Sequence, residues 1–504
     1  MLRPSIEPQA RQGREYIAGE WKSHREELEV LNPSDHSVIG SVPVSRVENL
    51  DRAVAAANDA LDTWGNHLKW SWVRRAEVVD TWVQHVRKHQ AELALLMAIE
   101  SGKHLDESRA DVVEAIHMLQ YCSGRGRQPI GERVASEIPD KEAEIYLAPR
   151  GVCTVITPWN FPAAIPTWLI GPALVCGNPV VFKPSEETPL TAQYLVRLFD
   201  LAAREHEAPP GVLNLVYGPG QVGEHLVRHP DTVGQLFTGS HGVGSRVKQI
   251  AASHYDKFAV CEMGGKNSLI VLEDANLELA VNSAVLSAYK TTHQRCVSAD
   301  LLIVQKSIEP EFTRRFLEVS DRVRFGDPLD AAFLAGPLIN EKAVDKFEDC
   351  ASRIEEECED RLRQGSREGP GNFVRPNVFR MPHRPGTFAL TQEFFTPNVV
   401  IVPVEDFEEA MQVANASEFG LSMSLMTDDF RKMREFKVLG RCGLKYVNLP
   451  TIGAEVHLPF GGMKRSGTGM PSAAWLFNYM CHATAFTVNY AEEIRMAQGL
   501  SAEV

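Results

Sequence analysis

The chain has 504 residues with 44% hydrophobic and 23% charged side chains, and its formal net charge is −14. This length predicts two to four domains, and the acidic balance argues against a nucleic-acid partner. The sequence contains no apolar run close to the roughly 20 residues that span a bilayer, and its first residues lack the apolar core of a signal peptide. Its nine cysteines are scattered, without a Cys-x-x-Cys pair, so we expect a cytoplasmic protein with no membrane partner and no metal site.

The first 125 residues contain short strands followed by a series of helices. Residues 16–21 and 28–31 have strand-like patterns. Apolar spacing then predicts helices over 49–62, over 72–102 in two parts ending at Gly102, and over 111–121. Residues 126–148 and 485–490 instead contain extended pieces. Because an exposed strand edge seeks a partner, we expect a homodimer or homotetramer.

Strands and helices alternate from residue 151 onward. Strands are predicted at 152–157, 179–183 and 213–217, with helices at 166–176 and 191–203 between them. This rhythm predicts a parallel, doubly wound sheet, which binds its ligand at the carboxyl ends of the strands. Residues from about 261 to 439 form a second α/β domain by the same alternation.

Two glycine-rich loops are candidates for binding a dinucleotide phosphate. Residues 218–223 match the Gly-x-Gly-x-x-Gly pattern, but Pro219 removes an amide donor where a pyrophosphate needs one. Residues 239–244 follow an apolar strand and open a helix, whose N-terminal amides can hold an anion. We therefore place the phosphates at Gly239 and Ser240.

The segment 291–296 ends in Cys296, directly after Arg295, and a carboxylate with a Gly-Gly pair lies at 262–265. A cysteine is a useful nucleophile only as a thiolate, so such a site needs a base, a cation or amide donors nearby. The residues alone leave a second interpretation open, because most free cysteines are small buried hydrophobes.

Seven motifs in chain order resemble those of the NAD(P)-dependent aldehyde dehydrogenase superfamily. The motifs are 158–162 (PWNFP), 182–186 (FKPSE), 237–240 (FTGS), 262–266 (EMGGK), 291–296 (TTHQRC), 393–397 (EFFTP) and 459–462 (PFGG). The resemblance extends from about residue 17 to 490 and is nearest to semialdehyde dehydrogenases of the pyrroline-5-carboxylate (glutamate-semialdehyde) or aminoadipate-semialdehyde type.

The resemblance implies an α/β fold with two doubly wound α/β domains and a small β oligomerisation arm. Its implied boundaries are 15–125 with 149–260 for the dinucleotide-binding domain, 261–440 for the catalytic domain, 126–148 with 480–494 for the arm, and 441–479 for a return segment that contributes a substrate loop. In such an arm, the hairpin pairs with the C-terminal strand.

The implied chemistry is oxidation of an aldehyde to a carboxylic acid through a covalent intermediate. Cys296 would attack the aldehyde, and Asn160 with the Cys296 amide would stabilise the oxyanion. Glu262 would then activate water to release the acid. From the residues alone, Asn160 and Glu262 are also compatible with a turn residue and a surface carboxylate.

NAD is the implied cofactor, with NADP as an alternative. Lys183 and Glu186 follow an apolar strand, where doubly wound sheets bind ligands, and would contact the adenosine ribose. The remaining implied cofactor contacts are Gly239 and Ser240 at the phosphates, Trp159 along the cofactor path, Glu393 at the nicotinamide ribose and Phe395 beside that ring.

The implied substrate is a small aldehyde that carries a carboxylate. Its carboxylate would be held by the loop containing Thr451, Gly453 and Ala454, because hydroxyl and backbone donors suit an anion. Glu114 and Arg295 are further candidates for contact with the substrate. A helix-surface role for Glu114 and a plain turn at the loop remain open.

One residue departs from the family pattern: His293 stands three residues before Cys296, where glycine is usual. A ring there is expected to take up space near the nucleophile and restrict the site. Three alternatives accompany the main hypothesis: a generalist aldehyde dehydrogenase, a coenzyme A-acylating enzyme, and a non-catalytic family member. Glu262 argues against the acylating enzyme, because such relatives commonly lack a carboxylate at that position.

Overall fold

The computed structural model describes residues 12–23, 26–128, 130–470 and 472–496. The N-terminal segment in which no signal-peptide core was found lies outside these ranges. None of the helices within them is long and apolar enough to cross a membrane. Two large sheets and one small sheet account for most of the strands.

A seven-stranded sheet organises the N-terminal half of the chain. Its strands lie in the order Phe258–Met263, Gly234–Gly239, Cys153–Ile156, Val180–Lys183, Leu213–Leu215, Glu15–Ile17 and Glu20–Lys22. The first five are parallel, and the last two form an antiparallel hairpin at the edge. Parallel strands are covered on both faces and therefore consist largely of apolar residues. In Val180–Lys183 all four residues are buried, and the three before Lys183 are apolar.

Eight helices accompany this sheet within the described residues, and they confirm the predicted alternation. They are Val47–Trp64, Trp72–Lys88, Gln90–Ser101, Leu105–Arg125, Ala164–Val175, Pro189–Glu205, Gly220–Arg228 and His241–Ala252. Gly102 ends its helix with φ 71°, a left-handed backbone that glycine adopts without a steric penalty. The predicted helix stop is confirmed.

A second seven-stranded sheet organises the C-terminal half. Its order is Asp360–Arg363, Asn377–Arg380, Asn398–Val404, Ala299–Gln305, Asn267–Val271, Ser422–Met426 and Leu444–Val447. All pairs are parallel except the one at the Asp360–Arg363 edge. The accompanying helices are Leu277–Tyr289, the 3-10 turn Lys290–His293, Glu309–Ser320, Glu341–Glu357, Phe388–Thr391, Phe407–Ala416 and Phe430–Leu439.

A three-stranded antiparallel sheet, which we call the arm, consists of Gly131–Val134, Lys141–Pro149 and Cys481–Asn489. The two long strands pair along their whole length, with Cys481 opposite Pro149 and Asn489 opposite Lys141. The predicted pairing of the hairpin with the C-terminal strand is therefore confirmed. Ile145, Tyr146 and Phe486 are exposed on this sheet.

The remaining short elements connect these three sheets. They are the strand pairs Glu27–Leu31 with Val38–Pro43, Arg367–Glu368 with Phe373–Val374, Phe419–Gly420 with Met463–Lys464, and Pro459–Phe460 with Ser472–Ala473, together with the 3-10 helix Ala474–Tyr479.

Candidate active site

A cavity of about 330 Å³ lies at the carboxyl ends of strands from the first sheet, facing the second. It is where an open α/β sheet binds its ligand. Its lining brings together residues from five of the seven motifs: Trp159, Asn160, Gly239, Ser240, Glu262, Cys296, Glu393 and Phe395. Residues more than 200 positions apart in the chain thus meet in one space.

The loop that carries Cys296 has an unusual backbone. Thr291, Thr292 and His293 have φ values of 53°, 54° and 67°, so three consecutive side-chain-bearing residues are left-handed. Such a conformation costs about 1–2 kcal/mol per residue, and other contacts must offset that cost. The Thr291 amide and hydroxyl both donate to Glu107, at 3.1 and 3.0 Å.

Arg295 completes this contact. Its Nη2 donates to Glu107 Oε1 at 2.9 Å, and its Nε donates to the Thr291 hydroxyl at 2.7 Å. Its guanidinium also lies 5.1 Å from the ring centre of Phe161. The positive charge considered for the substrate is therefore already paired with a buried carboxylate. In this structure Arg295 fixes the nucleophile loop.

The position of His293 corrects the expectation that its ring restricts the site. The residue is 1% exposed and does not line the cavity. Its Nδ1 lies 2.7 Å from the Ala288 carbonyl oxygen, and its Nε2 lies 2.7 Å from Asp300 Oδ1. The usual glycine is explained by the left-handed backbone, which glycine adopts readily and histidine tolerates better than most residues.

Cys296 and Glu262 both line the cavity, and the charge of Glu262 acts on the Cys296 thiol. Burial, followed by the negative charges of Glu262 and Glu393, raises the pKa of the Cys296 thiol far above its ordinary value. Burial also raises the pKa of Glu262 well above its ordinary value, and a Gly462 amide lowers it only in part. Neither Glu262 oxygen has a hydrogen-bond partner of normal geometry among the described residues. Burial therefore favours the protonated form of both groups, and Glu262 can accept a proton only once it is ionised.

Asn160 lies beside the nucleophile loop with its side chain fixed. Its Nδ2 donates to the Gln294 carbonyl at 3.0 Å, two residues before Cys296. A primary amide carries two N–H donors, so a second donor remains for a ligand atom. Asn160 is 4% exposed and lines the cavity. It can therefore donate to an oxygen that forms next to the sulfur.

The cavity contains groups that fit a nicotinamide ribose. Burial raises the pKa of Glu393 to about 7, and Glu393 Oε1 accepts from the Gly265 amide at 3.0 Å. A Cβ at Gly264 would overlap the Glu393 carboxylate, so only glycine allows this approach. The rings of Trp159 and Phe395 meet edge to face, with centroids 5.8 Å apart.

The far end of the cavity offers contacts for the rest of a dinucleotide. Ser240 precedes the helix His241–Ala252 without capping it, so the first amides of that helix are available to a phosphate. A neighbouring cavity of about 380 Å³ shares lining residues with the first and includes Glu186. There Lys183 Nζ lies 3.3 Å from Glu186 Oε2. The two adjoining cavities fit an elongated cofactor, whose phosphates would lie at the N-terminus of the helix His241–Ala252.

Tyr446 lies close to Cys296 and to the substrate candidate Glu114, although neither Tyr446 nor Glu114 lines the cavity. Burial, followed by the charge of Asp111, raises the pKa of the half-buried Glu114 to about 8. Burial, followed by the charges of Cys296, Cys442 and Glu114, raises the pKa of Tyr446 to about 12, so this ring lies near both the nucleophile and Glu114. The Tyr446 hydroxyl donates to the Gly453 carbonyl.

The loop 451–454 only partly matches its predicted role. Thr451 is fully buried, and its hydroxyl donates to the Val297 carbonyl at 2.7 Å while its amide donates to Ser287 Oγ at 2.9 Å. Its hydroxyl is thus used within the protein, which corrects the expectation that it holds the substrate. Gly453 and Ala454 are exposed, and neither amide donates a hydrogen bond to another described residue.

The sequence reasoning missed Glu107, Tyr446, Lys266 and Asp300. Glu107, Asp111 and Glu114 follow helical spacing on one face of Leu105–Arg125, and the first two are buried. A row of acids on the inner face of a helix requires partners. That helical spacing was the sequence pattern from which a buried, paired role for these acids could have been predicted.

Fold and site together define a family of oxidoreductases. Residues 21–486 match the aldehyde dehydrogenase family, to which this chain belongs. A similar protein is the alpha-ketoglutaric semialdehyde dehydrogenase of Bacillus subtilis (strain 168), with 35% identity over 468 residues, 90% of this chain and 93% of that protein.

Solved structures of the family have the same fold. Betaine aldehyde dehydrogenase from Staphylococcus aureus, in complex with NAD+, superimposes with a TM-score of 0.90 at 29% identity over 97% of both chains. A 1-pyrroline-5-carboxylate dehydrogenase from Thermus with bound NAD gives a TM-score of 0.89 at 31% identity, covering 95% of this chain and 93% of that one. The predicted fold class and family resemblance are confirmed.

Proposed function

We propose that this protein oxidises a small, carboxylate-bearing semialdehyde to the corresponding acid with NAD. The observation that carries the proposal is the meeting of Cys296 and Glu262 in one cavity, beside Asn160 and Glu393. Residues 15–125 and 149–260 would bind the dinucleotide, and residues 261–440 would supply the nucleophile. The segment 441–479 would add the substrate loop.

In the first step the Cys296 thiol gives its proton to water, and its sulfur bonds to the aldehyde carbon. The oxygen of the resulting thiohemiacetal accepts from Asn160 Nδ2 and the Cys296 amide. Glu393, Ser240 and the N-terminus of the helix His241–Ala252 would hold NAD, which would accept the hydride and so leave a thioester on Cys296. Glu262 then takes a proton from water, whose oxygen bonds to the thioester carbon while the carbon–sulfur bond breaks. The acid leaves, and Glu262 returns its proton to the Cys296 sulfur.

The groups around Tyr446 support the proposal that the substrate carries a carboxylate. The amides of Gly453 and Ala454 are exposed and can donate to an anion. With a pKa of about 8, Glu114 is mostly protonated at pH 7 and can also donate, while its ionised form suits an ammonium group. The similar alpha-ketoglutaric semialdehyde dehydrogenase of Bacillus subtilis supports a substrate of this class.

An assay with matched aldehydes tests the function and its substrate class. Succinate semialdehyde and butanal have four carbons each, and glutamate γ-semialdehyde can be compared with pentanal. We expect the charged member of each pair to have a kcat/KM at least about 10-fold higher, which is about 1.4 kcal/mol. Equal use of the uncharged aldehydes would identify a generalist. NADH formation that requires coenzyme A would identify an acylating enzyme, and its absence with every aldehyde would contradict the proposal.

The cofactor preference should favour NAD, because the Glu186 carboxylate accepts from ribose hydroxyls and repels a 2′-phosphate. Glu186→Ser should raise the NADP to NAD ratio of kcat/KM by about 10-fold. Glu187→Ser is a matched control, since Glu187 instead accepts from Asn340 Nδ2 at 2.7 Å. A wild-type preference for NADP, or equal ratios in both variants, would contradict this role.

We further propose a homodimer or homotetramer assembled through the arm. The support is the exposure of Ile145, Tyr146 and Phe486 on a sheet with open edges. A cytoplasmic location agrees with the nine cysteines, all of which are free thiols.

A further inference from the structure

Asp300 connects three segments that surround the candidate active site. It lies in the strand Ala299–Gln305 and is 1% exposed. Its Oδ1 lies 2.7 Å from His293 Nε2, and its Oδ2 lies 3.1 Å from Lys266 Nζ. The Phe394 amide donates to the same Oδ2 at 3.3 Å. One carboxylate therefore binds three separate parts of the chain.

Each partner of Asp300 lies close in sequence to a residue of the proposed mechanism. His293 precedes Cys296 by three residues, Lys266 follows Glu262 by four, and Phe394 directly follows Glu393. Lys266 Nζ also lies 3.2 Å from the ring centre of Phe394, which links two of these segments to each other. The nucleophile, the base and Glu393 thus each lie within four residues of a contact with one buried carboxylate.

The His293 contact is directional. Its two ring nitrogens face the Ala288 carbonyl and the Asp300 carboxylate, and both of these oxygens only accept. The ring therefore bridges the end of the helix Leu277–Tyr289 to Asp300. This bridge holds the last of the three left-handed residues, so it fixes the direction in which the chain enters Cys296.

We propose that Asp300 is a positioning residue, which sets the spacing of Cys296, Glu262 and Glu393 through its contacts with His293, Lys266 and Phe394. The role rests on the function proposed above for the first three residues. Asp300 itself touches neither the cavity nor a reacting atom. It acts through its neighbours.

His293→Gly is the decisive variant, because it removes the contact to the nucleophile loop and leaves the ion pair of Asp300 with Lys266. We expect kcat to fall about 10-fold, with KM and the dissociation constant of NAD unchanged within about 2-fold. The alkylation rate of Cys296 by iodoacetamide should rise about 3-fold or more, because a released loop exposes the thiol. Peptide mass spectrometry separates this rate from those of Cys358 and Cys481, which should not change.

Two further variants distinguish the contribution of the His293 ring from that of the left-handed backbone. His293→Asn accepts a left-handed backbone but is too short to bridge Ala288 and Asp300, so it should behave like His293→Gly. Glu207→Gly is a matched backbone control, since Glu207 also has a positive φ of 55° and lines neither cavity. It should retain the wild-type kcat and alkylation rates.

Asp300→Asn tests the carboxylate directly, although it deprives buried Lys266 of its counter-charge and should lower Tm. If Asp300 acts through His293, the losses of kcat in Asp300→Asn and His293→Gly should not multiply in the double variant. Wild-type kcat and alkylation in His293→Gly would overturn the proposal. So would a lower Tm with equally faster alkylation at all three cysteines. If wild-type protein oxidises no aldehyde, the proposed function fails, while the alkylation rates still decide on the positioning role.

Discussion

Cys296→Ala is expected to lower the rate of NADH formation by about 10³-fold or more, because the sulfur forms the covalent intermediate on which hydride transfer depends. The dissociation constant of NAD, measured by calorimetry, should change little, since the cavity is lined mainly by other residues. Alanine also fits the space of a small thiol without new contacts.

The matched control for this variant is Cys358→Ala. Cys358 is also a free, half-buried thiol, but it directly follows the helix Glu341–Glu357 and does not line the cavity. Its replacement should leave kcat and KM unchanged. Turnover above a few per cent of wild type in Cys296→Ala would remove the sulfur from the mechanism.

Glu262→Gln should arrest the reaction after the thioester forms, because the amide cannot take a proton from water. We expect kcat to fall by about 10²–10⁴-fold, with one NADH released per active site in a rapid burst. Intact-mass measurement should find the acyl group on Cys296. Normal steady-state turnover would exclude Glu262 as the base, and Glu405→Gln, at an exposed carboxylate, should behave as wild type.

The pH profile gives a second test of Glu262. A general base works only when deprotonated, and burial raises the pKa of Glu262 well above its ordinary value. The wild-type kcat should therefore rise with pH through the range in which Glu262 ionises, and Glu262→Gln should lose that dependence. A pH dependence that persists in the variant would assign it to another group.

The fold was predictable because its strands and helices have strong local patterns. The apolar strands of both sheets and a stop such as Gly102 depend on neighbouring residues alone. The arm required the family resemblance, since nothing local shows which strand pairs with Lys141–Pro149. Periodicity identifies the elements, whereas pairing depends on distant parts of the chain.

The sequence predicted which residues meet at the cavity better than it predicted the contacts that each of them makes. His293 was misjudged because a usual glycine has two explanations, open space or a positive φ, and the structure supports the second. Arg295 was predicted to contact the substrate because its actual partner, Glu107, lies 188 residues away and could not be found from a local pattern. Thr451 was likewise predicted to contact the substrate, because the Val297 carbonyl that it binds lies far away in the sequence.

The arm also affects how the chain folds during synthesis. Tyr490 donates to Glu142 across 348 residues of sequence. At a synthesis rate of roughly 5–20 residues per second, the strand Lys141–Pro149 waits roughly 20–70 s for its second neighbour. Until the ribosome releases Cys481–Asn489, that strand has one unsatisfied edge with Ile145 and Tyr146 beside it. The growing chain therefore carries an unpaired strand edge at the arm until its synthesis is almost finished.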